Sequence, residues 1–215
     1  QLTGFDFRSS HSIKKIPFAI YGQFFGEGIK DSLGLFGLET WGPITDFNQL
    51  ESYRIFVEAT STSCEFYKIS APKYGCAYND PFYTDGYRYE GKNIGHSADG
   101  DSLLFTVGGM LVVNNSQLIK SSLSLGKLNR GPNSQYQLTQ NNNDYLKFDL
   151  GYEFDLFWFD IPLGSFDVGL GLDILRDKVK DTTQKDPRIQ LSWLNSIDFD
   201  SKKVRNYSEY LALIE

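Results

Sequence analysis

The chain has 215 residues, a net charge of −6, 15% aromatic residues, 20 glycines, 7 prolines and 1 methionine. No basic run stands out, which argues against nucleic acid as a partner, and no run of 18 apolar residues is present to form a membrane helix. The length suits one large all-β domain rich in strands and turns. A mean hydropathy of −0.34 leaves a membrane barrel open, because only alternate residues of each strand meet lipid.

The chain opens Gln1-Leu2-Thr3 without a signal peptide, so a leader is expected to have been removed or to lie elsewhere. Gly4-Phe5-Asp6-Phe7-Arg8 alternates as a strand, and 9–15 reads as a polar turn. Residues 17–27 form the second expected strand, with Phe18, Ile20, Gly22 and Phe24 on one face. A Gly26-Glu27-Gly28 turn leads to a third over 32–40, closed by Trp41-Gly42-Pro43. In the fourth, Tyr53, Ile55, Val57 and Ala59 alternate with Arg54, Phe56, Glu58 and Thr60.

A long irregular segment, 64–100, follows. Cys64 and Cys76 within it suit one disulfide in an oxidising compartment, contributing about 3 kcal/mol on the chain-entropy model. Two unpaired thiols are the alternative; a two-cysteine metal site lacks a nearby histidine at ligand spacing. Strands are expected again over 102–113 and 118–128, and 130–143 reads as a polar loop.

The stretch 144–158 is the clearest strand. Leu146, Phe148, Leu150, Tyr152, Phe154, Leu156 and Trp158 make one face wholly apolar. Lys147, Asp149, Glu153 and Asp155 charge the other. Its alternation runs well past the 5–6 residues of an ordinary strand and covers the 9–11 needed to cross a bilayer at about 45°. Phe148 and Trp158 fit aromatic girdles. A soluble β-sandwich strand is the alternative. Residues 165–174 repeat the pattern, with Phe166, Val168, Leu170, Leu172 and Ile174 opposing Asp167 and Asp173. A charged loop over 176–187 precedes a last strand, 188–199, whose outward set is Ile189, Leu191, Trp193, Ile197 and Phe199.

Connection lengths sort by end. The loops 64–101, 130–143 and 176–187 fall on one side, and the turns near 45–50, 114–117 and 160–164 on the other. Outer-membrane barrels alternate long extracellular loops with short periplasmic turns in this way. The expected fold is therefore all-β: an antiparallel transmembrane barrel of about nine long strands. Single-chain bacterial barrels have even strand numbers, and open sheet edges are not viable in lipid. Missing N-terminal strands, or a partner chain completing the barrel, are expected. Arg54, Lys147, Asp149, Glu153, Asp155, Asp167 and Asp173 would line a wide, wet lumen.

Several runs carry a family resemblance. Gly4-Phe5-Asp6-Phe7-Arg8, Pro17-Phe18-Ala19-Ile20-Tyr21-Gly22-Gln23 with Gly26-Glu27, and Gly34-Leu35-Phe36-Gly37-Leu38-Glu39-Thr40-Trp41 resemble the Wzi family of capsule assembly proteins. So do Tyr53-Arg54-Ile55-Phe56-Val57-Glu58 and, most specifically, the run from Gly86-Tyr87-Arg88-Tyr89 through His96-Ser97-Ala98-Asp99-Gly100-Asp101. The resemblance covers roughly 4–199 and matches the C-terminal half of such a protein. It implies an outer-membrane barrel of about eighteen strands with a periplasmic helical bundle, a lectin-like role in attaching capsular polysaccharide, and no cofactor. Residues 1–199 would then be barrel and loops, and 200–215 a C-terminal extension, periplasmic by position. Family chains tend to stop at the aromatic of the last strand, here Phe199, so the extension is a departure.

The long loop is the expected site. Tyr74, Tyr78, Tyr83, Tyr87 and Tyr89, with Asp80, Asp85, His96, Asp99 and Asp101, are candidates for polysaccharide contact, because rings and carboxylates satisfy the apolar faces and hydroxyls of a sugar. The structural alternative is that these rings pack the loop over the barrel mouth. Ser97, His96, Asp99 and Asp101 invite a hydrolase reading, but neighbours on an extended backbone point apart. Residues 98–101 hold oxygen ligands for calcium without a full ligand ladder, and no metal is assigned. Asp149, Glu153 and Asp155 share a face as a glycosidase pair must, yet lumen lining explains them more simply. Polysaccharide and outer-membrane lipid are the expected partners, with a solute channel or a hydrolase as alternative functions.

Overall fold

In the computed structural model the described residues are 3–26, 31–45, 49–68, 72–79, 86–90, 92–114, 117–131, 138–158 and 161–194. Nine long strands make one sheet: β1 (Thr3–Ile13), β2 (Ile16–Gly26), β3 (Ser32–Pro43), β4 (Leu50–Ser61), β7 (Leu103–Val113), β8 (Gln117–Leu128), β9 (Asn143–Trp158), β10 (Ile161–Asp177) and β11 (Thr182–Leu194). Two short strands, β5 (Arg88–Tyr89) and β6 (Lys92–Asn93), pair within the long loop. The sheet order is β1-β2-β3-β4-β7-β8-β9-β10-β11, antiparallel throughout, so every long strand pairs with its neighbours in sequence. No described residue lies in an α-helix.

Register divides the side chains into two faces across the whole sheet. Phe7 lies opposite Gly22, Gly22 opposite Phe36, Phe36 opposite Ala59, and Ala59 opposite Phe105. Further on, Leu123 meets Phe148, Phe148 meets Leu172, and Leu170 meets Ile189. Directly opposed residues project to the same side, so this face is apolar from edge to edge. It is also open: Phe5, Phe36, Ile55, Phe105, Leu150, Leu170, Ile189, Leu191 and Trp193 are all exposed. The other face carries Arg54 opposite Met110, Lys147 opposite Asp173, Glu153 opposite Asp167, and Gly171 opposite both Asp149 and Arg188.

Two strand ends differ from expectation. The polar stretch 9–15 is not a turn: β1 runs to Ile13, and only Lys14 and Lys15, both at positive φ, make the bend of a two-residue hairpin. The charged segment 176–187 is likewise no long loop. β10 extends to Asp177, the turn is 178–181, and β11 starts at Thr182. There Asp177 Oδ1 accepts the Val179 and Lys180 N–H groups, an Asx-type turn. The backbone ladder continues where the apolar alternation has stopped, so hydropathy lost a strand that pairing keeps. The last strand therefore starts at Thr182 rather than at 188 and is described as far as Leu194; 195–199, with Ile197 and Phe199, and 200–215 lie outside the described residues.

As an antiparallel meander requires, β2–β3, β4–β7, β8–β9 and β10–β11 are joined at one end of the sheet and β1–β2, β3–β4, β7–β8 and β9–β10 at the other. At the first end only the β4–β7 and β8–β9 connections are long; the expected long loop over 176–187 is replaced by the short 178–181 turn.

Candidate functional site

The loop 62–102 joins β4 to β7 and is tied to the strand ends at its base. Thr62 N donates to Ser102 O at 2.9 Å, Asp101 N to Thr62 O at 3.1 Å, and Ser102 N to Thr62 Oγ1 at 2.9 Å. Cys64 and Cys76 form a disulfide with Cα atoms 6.2 Å apart. Beside it the Gly75 N–H reaches both carboxylate oxygens of Asp101, at 3.0 and 2.9 Å. Asp101 is fully buried at 0% exposure, and its carbonyl accepts the Arg130 N–H from the neighbouring loop.

A second cluster organises the outer half. Arg88, with only 6% of its side chain exposed, pairs with Asp99 at 3.1 Å. Its other nitrogen donates to Tyr78 O at 3.0 Å and to Asn79 Oδ1 at 3.1 Å. Asp99 Oδ1 also takes the Gly100 N–H at 2.8 Å. A buried ion pair survives desolvation best when further hydrogen bonds satisfy its partners; here the Tyr78 carbonyl, Asn79 Oδ1 and the Gly100 N–H do so, while Arg88 Nε has no partner. Gly86 sits at φ +59 against Tyr78 O, where a Cβ would come within 2.0 Å. Only glycine fits there.

Tyr78 is fixed from three sides. Its hydroxyl accepts the His96 N–H at 3.1 Å, Gly95 lies flat against its ring, and the Tyr87 ring stacks on it at 6.5 Å. Burial pushes the Tyr78 phenol up and the His96 imidazole down from their ordinary values. His96 Nδ1 accepts the Ala98 N–H at 3.1 Å, so the neutral ring carries its proton on Nε2.

The loop straddles the sheet rim. Phe66 packs on Phe24 and Phe36, ring centroids 5.2 and 5.9 Å away, on the apolar face. Tyr78, Tyr87, Gly95 and His96 close over the polar face instead. They roof a cavity of about 310 Å3 whose wall includes Gln23, Thr60 and Thr62. Tyr89, at 70% exposure, and Tyr67, Tyr74 and Tyr87 turn toward solvent. Arg130 lies over the Tyr74 ring at 5.7 Å.

Below the mouth the polar face is laced by ion pairs. Arg54 Nε donates to Glu39 at 2.8 Å and Arg8 pairs with the same carboxylate, which is buried. Lys120 bridges Glu153 at 2.6 Å and Asp167 at 3.5 Å, and Arg188 bridges Asp149 at 2.9 Å and Asp173. Tyr21 donates to Glu58 at 2.7 Å. A groove of about 840 Å3 runs past Phe56, Lys120, Asp149, Asp167, Arg188 and Gln190.

The family model described as capsule assembly protein Wzi matches residues 1–161. The chain belongs to that family. Among solved structures it is similar to Wzi of Escherichia coli, described as an outer membrane protein involved in group 1 capsule assembly and as a carbohydrate-binding β-barrel. The TM-score is 0.65 at 20% identity, over 86% of this chain and 39% of that one. The chain thus spans well under half the length of the Wzi structure. No curated protein matches it.

Against this frame the sequence-derived candidates divide. Tyr74, Tyr87 and Tyr89 are exposed, while Tyr78 and His96 line the cavity. Asp99 and Asp101 are turned into the loop's own frame, their carboxylates occupied by Arg88, Gly100 and Gly75. Tyr83, Asp80 and Asp85 lie outside the described residues. Arg54, Lys147, Asp149, Glu153, Asp155, Asp167 and Asp173 share the polar face by register. Sequence reasoning passed over Gln23, Thr60 and Thr62, which alternation alone places on that face near a strand end. It also passed over Arg88, a buried cation among the loop's tyrosines.

Proposed function

We propose that this chain forms the C-terminal half of an outer-membrane barrel of about eighteen strands, which binds capsular polysaccharide at its extracellular rim and thereby assists capsule assembly. The observation that carries the reading is a tyrosine-bearing loop, pinned by a disulfide and a buried ion pair, at one end of a sheet that is apolar on one side and ionic on the other. The open apolar face suits lipid. Phe154, Phe166 and Trp193 stack at successive centroid spacings of 5.9 and 5.7 Å at the short-turn end. Phe5, Phe24, Phe36 and Phe66 gather at the long-loop end. Two such belts mark the interfaces of a bilayer. The carbohydrate-binding neighbour and the family's capsule role support a sugar as the ligand. In this reading the protein is a binder, not a catalyst: His96 and Asp99 serve the loop's frame.

Surface polysaccharide from the producing cells, titrated onto the folded full-length protein, is the direct test. Binding is expected, and the double variant Tyr87→Ala/Tyr89→Ala is expected to weaken it at least tenfold. Indifference of the wild type to that polysaccharide removes the proposal. The groove on the polar face favours a second reading, a channel for small solutes. Steady conductance in planar bilayers supports it, and a silent barrel rejects it.

A further inference from the structure

A cavity lies between Tyr78, Tyr87, Gly95 and His96 of the loop and the wall of β2, β3 and β4. Its volume, about 310 Å3, sits at the small end of ligand pockets, which run about 300–1,000 Å3. That is room for a sugar ring, not for a length of polymer. One side is aromatic: the Tyr87 and Tyr78 rings lie nearly parallel at 22°, pre-ordered by the Tyr78 hydroxyl and by Gly95. The rest is apolar and uncharged, from Phe25, Leu33, Leu35 and Ile94, with a few hydrogen-bonding groups set among them: the Gln23 amide, the Thr60 hydroxyl and the imidazole of His96.

Charge selects among sugars. No Lys, Arg, Asp or Glu among the described residues lines the cavity. Arg88, a buried cation of the same loop, directs both terminal nitrogens to Asp99, Tyr78 and Asn79. Glu58 follows two positions before Thr60 on the same face, accepting the Tyr21 hydroxyl. A uronate entering here would shed water without meeting a cation and would approach Glu58. A hydroxymethyl group at the same carbon carries no such penalty, and its hydroxyl finds donors and acceptors.

We infer that this cavity is a subsite for an uncharged hexopyranose unit and discriminates against a uronic acid. The inference rests on the polysaccharide-binding reading above and names the class of residue which that site accepts.

The test uses one polymer in two forms. Surface polysaccharide from the producing cells is either carboxyl-reduced, so that every uronate becomes a hexose, or oxidised at C6, so that hexoses become uronates. Each form is titrated onto the full-length protein at high salt, where long-range repulsion from the protein's net negative charge is screened. The reduced form is expected to bind at least tenfold tighter. Gln23→Arg, which places a cation on the cavity wall, is expected to bring the ratio below threefold. Tyr87→Ala is expected to weaken the reduced form about tenfold with the fold intact by heat-dependent gel mobility. Equal or tighter binding of the oxidised form by the wild type, or a ratio that Gln23→Arg leaves unchanged, overturns the subsite while polysaccharide binding stands. Failure of both forms to bind the wild type overturns the reading on which the subsite rests.

Discussion

The Asp101 carboxylate holds the Gly75 N–H with both oxygens while its own backbone bridges Thr62 and Arg130. One buried residue thus joins the disulfide region, through its side chain, to the strand ends and the neighbouring loop, through its backbone. Asp101→Ala removes the acceptor and leaves a donor unsatisfied, a cost of about 1–3 kcal/mol. The expected outcome is amide exchange at Gly75 faster by tenfold or more, with the strand amides unchanged. His96 gives a pH dependence. Its folded pKa lies below the usual 6.5 because burial disfavours the cation, so below that value the unfolded loop binds more protons than the folded one. The loop's stability is constant above about 6.5 and falls as pH drops below it, levelling only beneath the folded pKa. Protonation at Nδ1 also breaks the Ala98 bond. Limited proteolysis of the loop is expected to quicken from pH 7.5 to 5.5 in the wild type and to stay flat in His96→Asn. At this scale the sequence showed the tyrosines and the Asp-Gly turns but not their directions. Asp99 and Asp101 read as sugar contacts because the partner that turns Asp99 inward, Arg88, lies 11 positions away.

Among the strands, β3 carries an electrostatic clasp. Glu39 stands between Arg8 of β1 and Arg54 of β4, so one carboxylate spans four adjacent strands across β2. Arg8 also lies over Trp41 at 5.5 Å. Glu39→Ala leaves two part-exposed guanidinium groups without their shared carboxylate, an expected loss of about 1–3 kcal/mol. A lower urea midpoint in lipid vesicles reads it out, and restoration by Glu39→Asp, with its shorter reach, is expected to be partial. Strand identity was legible because alternation with period two leaves one reading of Phe148, Leu150 and Tyr152. Strand ends were not. The outer parts of β1 and β11, around Ser9 and Gln184, are polar on both faces, so the pattern vanishes while the hydrogen-bond ladder continues.

The whole sheet has one face for oil and one for water, and its stability depends on that assignment. Leu150 lies mid-strand in β9, opposite Ser121 and Leu170 on the apolar face. Leu150→Arg is expected to cost about 2–4 kcal/mol if that face meets the bilayer midplane. The matched change Ser122→Arg, on the polar face opposite Asp149, is expected to cost little. The fraction folded into vesicles, by heat-dependent gel mobility, separates the two. Equal loss rejects lipid as the neighbour of the apolar face. The two-faced meander was readable from sequence because it repeats in nearly every strand. The cavity was not, since it forms only where a loop folds back over strands distant in the chain.

Because the long loop grips the rim from both sides, Phe66 outside and Tyr78 inside, it is seated like a clip on an edge. On the polysaccharide-binding reading proposed above, tension on a bound polymer would enter β4 at the Cys64–Cys76 link, along the strand axis. Such a pull would shear the β3–β4 and β4–β7 ladders, whose bonds lie across the force and share it, where a sideways pull would peel them one at a time. On that reading, the seat of the loop is strongest against a pull along the strands.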